Sequence, residues 1–211
     1  MHHELNQFEE ANIVKDFWRK NGKSILFSIA LAFLAIIGIS WYKSYQQNNQ
    51  DQLFSLYQKV LNNQQNGNVD NQVIMSELMQ KKYPRATYSA LASLVTAGSQ
   101  AQAGKLDAAS QSLNWVVEHA KEKVIRDFAI IRLARIDIDQ DKAAKALTLL
   151  KQMHQPELGA YVNMVKGDAY TQLKEYANAK KYYQIAQSAF DAQAIEQQYL
   201  TMKLADLPVS N

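Results

Sequence analysis

The histidines are the first residues of this chain whose type could support metal binding or acid–base chemistry. His2 and His3 are adjacent, whereas His119 and His154 stand alone near the ends of predicted helices. Two neighbouring histidines could hold a metal loosely, but an isolated histidine at a helix end more often caps the helix or lies at the surface. The sequence has no cysteine, which excludes a disulfide framework, a thiolate nucleophile and a cysteine-bound zinc. It also lacks HExxH, GxSxG, P-loop and GxGxxG motifs.

Clustered acids and paired lysines are the other candidates for chemistry. Asp137, Asp139 and Asp141 follow one another at every second position near a predicted helix end, and side chains at that spacing do not face each other. We expect them to form a solvated turn. Lys81-Lys82 and Lys180-Lys181 are expected at the surface, where either pair could meet an acidic partner. Because no set of residues converges on one point, the sequence favours a protein-interaction module without a cofactor over an enzyme.

The composition predicts a helical protein that is mostly water-soluble. Of its 211 residues 47% are hydrophobic, and the formal net charge of +3 is too small and too evenly spread to indicate nucleic-acid binding. The mean hydropathy is −0.34. Three Pro and seven Gly, against many Ala, Gln, Leu and Lys, favour an all-α fold.

Residues 24–42 are a local exception to this polarity. The uncharged run from Ile25 to Tyr42 would span about 27 Å as a helix, close to the thickness of a hydrocarbon core. Its apolar residues go all the way round, which argues against a core helix of a soluble protein. A cleaved signal peptide stays an alternative, because Gly38-Ile39-Ser40 has the small-x-small form of a cleavage site. The region before the span is acidic and contains an amphipathic helix predicted in 9–22, which favours an uncleaved transmembrane anchor.

The orientation of this span follows from the basic residues around it. Four Lys or Arg residues precede it and two occur in a similar window after it: Lys15, Arg19, Lys20 and Lys23 against Lys43 and Lys59. By the positive-inside rule, the N-terminus is expected in the cytoplasm and the C-terminal domain across the membrane. In a Gram-negative cell this predicts a single-pass, type II inner-membrane protein with a periplasmic domain, and makes the lipid bilayer a partner.

A helical repeat is visible in the second half of the chain. Three predicted helix pairs carry matched alanines, Ala109, Ala146 and Ala179, which are 37 and 33 residues apart and bracket the tetratricopeptide period. Small side chains allow two helices of a pair to approach, and a Leu or Tyr four positions later fills the space to the next pair. Since one pair cannot bury its own apolar face, the pairs must stack. The sequence therefore predicts a tetratricopeptide-like solenoid behind the transmembrane helix.

These patterns divide the chain into four segments. They are a cytoplasmic N-terminal segment with a short amphipathic helix (1–23), a transmembrane helix (24–42), a helical spacer with an N-terminal capping helix (43–84), and the repeat domain with a C-terminal capping helix (85–211).

Helix ends can also be predicted from local residues. Asn66-Gly67-Asn68 should stop one helix, and Asp70 is the expected N-cap of the next, which ends at Lys82. Asp141 occupies a turn position where tetratricopeptide repeats often have Gly. In the C-terminal capping helix the residues expected to face inward are Ile195, Tyr199, Met202 and Leu204.

The first helix of each pair is expected to line a groove along the stack. On the tetratricopeptide template its groove-facing residues are Leu94, Gly98, Ile131, Arg135, Met164, Asp168 and Thr171. Some of these could instead pack against neighbouring helices. Such a groove would bind a polypeptide or a partner domain.

Three segments give the chain a family resemblance. They are KDFWRKNGK (Lys15 to Lys23), TYSALASL (Thr87 to Leu94) and LAR (Leu133 to Arg135). With the order of span, polar spacer and repeats, the chain resembles the YfgM family of ancillary Sec-translocon subunits over nearly its whole length. The family has no catalytic motif whose residues could be carried over.

The resemblance implies a location and partners. It implies a single-pass inner-membrane protein whose periplasmic tetratricopeptide domain associates with the SecYEG translocon and with the membrane-anchored chaperone PpiD, where unfolded exported polypeptides emerge. The implied role is to help hand these polypeptides to periplasmic chaperones. The alternative is a periplasmic tetratricopeptide scaffold for another envelope assembly, such as cytochrome or outer-membrane biogenesis, which would share the repeats but not the N-terminal segment.

Overall fold

The computed structural model describes residues 50–153, 158–191 and 194–208, together with Arg19, Leu31, Leu34 and 36–38. The chain divides into two compact units between Gln52 and Leu53. The described residues of the first unit are helical. No helix in the described ranges is long and apolar enough to cross a membrane. Most of the predicted amphipathic helix and most of the predicted transmembrane helix lie outside the described residues.

The second unit is a series of helices joined by short turns. All regular secondary structure in the part that the structure describes is α-helical, apart from a single 3₁₀ residue, so the all-α prediction is confirmed. The helices are α1 (50–65), of which residues 53–65 belong to this unit, α2 (Val69–Lys82), α3 (Thr87–Gln102), α4 (Leu106–His119), α5 (Lys123–Asp139), α6 (Ala143–Leu150), α7 (Gly159–Gln172), α8 (Tyr176–Ala189) and α9 (Ile195–Ala205).

Each hydrophobic core joins one helix pair to the first helix of the next. Leu94, Leu113 and Leu133 bring α3, α4 and α5 together, and equivalent clusters join α5 to α7, α7 to α9 and α1 to α3. Because no pair closes its own core, the pairs stack, as the repeat pattern predicts. Contacts of α5 with both α3 and α7 place these first helices side by side. All seven predicted groove residues lie on these helices, although Leu94 and Ile131 are buried in the cores.

The turns inside the pairs share one left-handed residue. These residues and their φ angles are Gly67 (+67°), Gly104 (+74°), Asp141 (+60°) and Lys174 (+62°). In each turn the next residue donates its N–H to a carbonyl five positions back, as Lys105 N does to Gln100 O at 2.9 Å. This is the Schellman arrangement, which satisfies carbonyls at the end of a helix. The Asp141 turn therefore has the same geometry as the two glycine turns.

Replacing Lys174 by glycine is expected to raise the free energy of unfolding by about 0.5–1 kcal/mol. A side chain with a Cβ is strained at positive φ, and glycine is not. Urea unfolding of the detergent-solubilised chain measures the difference. The reverse change, Gly104→Lys, is the matched control and should lower the stability by a similar amount. Equal stability of all three proteins would contradict this account of the turns.

The pair α1–α2 is a repeat that the sequence pattern missed. Its turn at Gly67 lies 37 residues before Gly104, the spacing that also separates Gly104 from Asp141. Counted from these turns, Gln72 and Ser76 replace the alanine and the large residue that mark the other pairs. Both are fully buried, and neither amide atom of Gln72 has a hydrogen-bond partner within the described ranges. Because both positions are polar, this helix pair lacks the apolar period that marks the other three pairs.

Two predictions about individual helices are wrong, namely the N-cap of α2 and two of the inward-facing residues of α9. The N-cap of α2 is Asn68, whose Oδ1 accepts a hydrogen bond from Asn71 N at 3.2 Å, and Asp70 lies in the first turn. In α9 the buried residue is Leu200, whereas Ile195 is 82% and Met202 61% exposed. At 100° per residue, Met202 lies opposite Leu200 on the helix, so both cannot face the core. Of the residues expected inward, Tyr199 and Leu204 do pack against the last core.

Candidate partner-binding groove

A cavity of about 630 Å³ opens between α5, α7 and α9. Four of the seven predicted groove residues line it, namely Arg135 of α5 and Met164, Asp168 and Thr171 of α7. They meet there because α5 and α7 are neighbouring first helices, and because residues three or four positions apart share a helix face. The walls combine charged, aromatic and aliphatic side chains, a mixture suited to binding a polypeptide.

The other three predicted groove residues lie away from this cavity. Leu94 is buried in the core that joins α3 to α5, and Ile131 in the core that joins α5 to α7. Gly98 is partly exposed on α3, and a Cβ added to it would meet no atom within 4 Å. The surface formed by the first helices therefore has two parts. One surrounds the cavity between α5, α7 and α9, and the other runs along α3.

Asp168 is the centre of a hydrogen-bond network inside the cavity. Its Oδ1 accepts from the Tyr183 hydroxyl at 2.8 Å and from the Tyr199 hydroxyl at 3.4 Å, and lies 3.0 Å from Lys203 Nζ. Thr171 Oγ1 lies 3.2 Å from the same Tyr183 hydroxyl. This carboxylate therefore connects α7 to both α8 and α9 within the protein.

Two of the donors to Asp168, Tyr183 and Lys203, have a raised pKa and keep their protons at neutral pH. Burial, more than the neighbouring carboxylate, raises the pKa of Tyr183 above its usual 10.0. Burial lowers the pKa of Lys203, but Asp168 and Tyr199 outweigh it, so the net pKa lies above the usual 10.5. Tyr183 thus stays neutral and Lys203 cationic, and both contact the Asp168 carboxylate.

Further contacts fix the walls on either side of the cavity. The Tyr161 hydroxyl donates to Glu196 Oε1 at 3.1 Å, which ties α7 to the start of α9. The Gln172 side chain donates to Ile138 O at 2.7 Å and to Asp141 Oδ1 at 3.0 Å, which ties α7 to the end of α5. The helices that surround the cavity are therefore held in place by their own side chains.

The clustered acids do not form the solvated turn that the sequence suggested. Asp137 is buried, and its Oδ1 accepts from Lys145 Nζ at 2.7 Å. Asp139 is exposed and lines the cavity, while Asp141 is the left-handed turn residue. The prediction failed for Asp137 because it lies on the face of α5 that packs against α6.

The remaining candidates for chemistry are dispersed. Lys81-Lys82 and Lys180-Lys181 are exposed, as expected. His119 lies at the end of α4, where its ring stacks on Trp115. His2, His3 and His154 lie outside the described residues. Among the residues described, no three His, Asp or Glu side chains are grouped to hold a metal ion. The arrangement around the cavity is suited to binding by hydrogen bonds, charge and apolar contact.

Comparison with known proteins shows similarity to ancillary Sec-translocon subunits over almost the whole chain. The sequence matches the tetratricopeptide repeat-like domain family over residues 15–209. A Neisseria gonorrhoeae protein called "Ancillary SecYEG translocon subunit" is 26% identical over 205 residues, which cover 96% of this chain and 98% of the relative. Proteins of the same name from Haemophilus influenzae and Escherichia coli K12 are 23% and 24% identical, over 98% and 78% of this chain and 100% and 79% of the relatives. These matches confirm the resemblance noted in the sequence.

Proposed function

The chain belongs to the tetratricopeptide repeat-like domain family, and we propose that it is an ancillary subunit of the Sec translocon that works by binding other proteins. In this proposal the groove of the repeat domain holds a partner at the exit of the SecYEG channel. The subunit helps to hand newly exported polypeptides to periplasmic chaperones, with a PpiD-type chaperone as one partner. It has no catalytic role.

The observation that carries this proposal is the length of the match to the translocon subunits. It covers nearly all of this chain and of two relatives. Tetratricopeptide repeats alone occur in many assemblies, so a match confined to them would favour no particular one. A match that also includes the N-terminal unit favours an envelope protein of the same class.

The proposed topology follows from the first 42 residues. Residues 1–23 lie in the cytoplasm and 24–42 cross the inner membrane once, without cleavage, since four basic residues precede the span. The spacer (43–84) and the repeat domain (85–211) then lie in the periplasm. This places the groove on the side where exported chains emerge.

Site-specific photo-crosslinking in native membranes tests the proposal. A photoreactive amino acid replaces Arg135, which lines the cavity, in the full-length chain. Lys180, exposed on α8 and outside the cavity, is the matched control. We expect Arg135 to trap SecYEG components, a PpiD-type chaperone or exported polypeptides, and Lys180 to trap fewer of them. Trapping only a cytoplasmic protein would overturn the topology, and trapping a different envelope assembly would favour the scaffold alternative.

A further inference from the structure

The cavity identifies which face of every first helix points into the groove. Its α7 lining includes Tyr161, Met164, Asp168 and Thr171, which lie 13, 10, 6 and 3 positions before the left-handed turn residue Lys174. The same positions counted back from the other three turns give the corresponding face of α1, α3 and α5. On α3 and α5 the residue 10 positions before the turn, Leu94 or Ile131, is buried in a core, so the positions 13 and 6 before the turn are the ones that extend this face beyond the cavity.

An apolar row crosses the four first helices on this face. The position 13 residues before each turn is occupied by Phe54, Leu91, Phe128 and Tyr161. Phe54 is 47% and Phe128 41% exposed, and the other two are partly buried. The Phe54 ring lies 5.8 Å from that of Tyr88, three positions before Leu91 on α3, so α1 and α3 are in aromatic contact beside this row. Exposed apolar side chains grouped on one face are typical of a binding surface.

An arginine pair lies beside this row. Arg132 Nη1 donates to Leu94 O at 3.0 Å, which brings its guanidinium against α3, one turn before Gly98. Burial and the charge of nearby Arg135 both lower the pKa of Arg132. Within the described part of the chain neither arginine forms a salt bridge, and Asp139, one turn beyond Arg135, is not within ion-pair distance. Two close guanidinium groups repel each other, and an anion between them would relieve that repulsion.

The surface next to the arginine pair leaves room for such an anion. Helix α3 carries no charged residue, and Gly98 stands where α5 has Arg135 and α7 has Asp168. A Cβ added to Gly98 would meet no atom within 4 Å, so the space next to its Cα is open. The groove around α3 and α5 is therefore apolar along one row, cationic beside it, and free of competing acids on α3.

We propose that the groove binds a polypeptide segment in which apolar side chains stand next to an acidic residue. The apolar row takes the apolar side chains, and the arginine pair takes the carboxylate above Gly98. This inference rests on the proposed function and names the class of polypeptide that the groove selects.

Peptide binding to the full-length chain in nanodiscs tests the selectivity. Three fluorescent peptides of equal length are compared by anisotropy: one with Phe, Leu and Glu, one with Lys in place of Glu, and one with Ser in place of Phe and Leu. We expect the first to bind about tenfold more tightly than each of the others. Equal affinity for all three, or no binding of the first, would overturn the proposal.

Two variants with matched controls assign the two parts of the surface. Phe128→Ala should weaken the first peptide several-fold, whereas Ile185→Ala, at an equal 41% exposure on α8, should not. Arg135→Gln should reduce the preference for Glu over Lys, and Lys180→Gln should leave it unchanged. All four side chains are exposed or half-exposed, and circular dichroism confirms that the variants fold. An equal effect of a control and its variant would contradict the assignment.

The outcome also separates this inference from the proposed function. Crosslinking to SecYEG without any peptide preference would overturn the selectivity alone. A clear peptide preference without crosslinks to translocon components would overturn the proposed function and leave the groove chemistry intact.

Discussion

Replacing Gly167 by alanine is expected to lower the free energy of unfolding by about 1–3 kcal/mol, the usual cost of overpacking a core. A Cβ at this position would overlap the ring of Tyr183, with Cγ of that ring only 2.9 Å away and two further ring atoms nearer still. Tyr183 is fully buried and its hydroxyl is held by Asp168, so the ring has no free space into which to move.

The sizes of the two residues that meet in each pair explain this sensitivity. One lies 7 positions before the turn residue and the other 9 positions after it. Along the chain these pairs of residues are Val60 with Ser76, Ala97 with Leu113, Ala134 with Leu150, and Gly167 with Tyr183. Where the residue on the first helix is small, the residue on the second helix is large. The two side chains together therefore fill the space between the two helices in each helix pair.

A second substitution tests this explanation. Tyr183→Leu added to Gly167→Ala recreates the Ala97–Leu113 combination and should recover part of the lost stability, as measured by urea unfolding in a double-mutant cycle. Gly98→Ala is the matched control, because its Cβ has open space. It should raise the free energy of unfolding by about 0.5–1 kcal/mol, the helix preference of alanine. Equal stabilities of the Gly167→Ala and Gly98→Ala variants would contradict the overlap.

Asp168→Asn is expected to lower the free energy of unfolding by about 2 kcal/mol. The change removes the charge that pairs with Lys203 and weakens the hydrogen bonds from Tyr183 and Tyr199, and hydrogen bonds to charged groups contribute about 1.5–3 kcal/mol. Chemical denaturation at neutral pH measures the loss. Asp70→Asn, which breaks an exposed ion pair with Lys105, is the control and should cost less than about 0.5 kcal/mol.

The difference in stability between the unmodified chain and Asp168→Asn is expected to depend on pH with a definite sign. The pKa of Lys203 is higher in the folded protein than its usual 10.5, so the ion pair stabilises the fold below that value and is lost as the pH rises through the folded pKa. The gap in stability between the unmodified chain and Asp168→Asn should therefore narrow above pH 10.5. A gap that widens in alkaline solution would show that Lys203 does not carry the effect.

Much of the stack could be predicted from small residues alone. Ala109, Ala146 and Ala179 are all fully buried where two helices meet, because only a methyl group fits there. The first pair was missed because Gln72 and Ser76 are polar, and polar residues at core positions carry no apolar period. The turn at Gly67 was the available signal, since its spacing to Gly104 equals the spacing from Gly104 to Asp141.

The sequence indicated that four of the predicted residues would lie together, but it did not indicate their contacts. Arg135, Met164, Asp168 and Thr171 share one surface because helical spacing determines the face of a residue. The sequence could not show that Asp168 is already engaged, because its partners come from α8 and α9. Nor could it show the register of α9, where Leu200 is the buried residue. Both depend on tertiary packing, which local patterns do not contain.

The helix that ends the stack is also one wall of the cavity. Leu200 of α9 completes the last hydrophobic core, while Tyr199 and Lys203 on the same helix reach into the cavity. Fraying of α9 and partner binding in the cavity would therefore be linked equilibria. A partner seated against α9, as we propose, would protect the backbone of α9 from hydrogen exchange, and by the same free energy an ordered α9 would bind that partner more tightly.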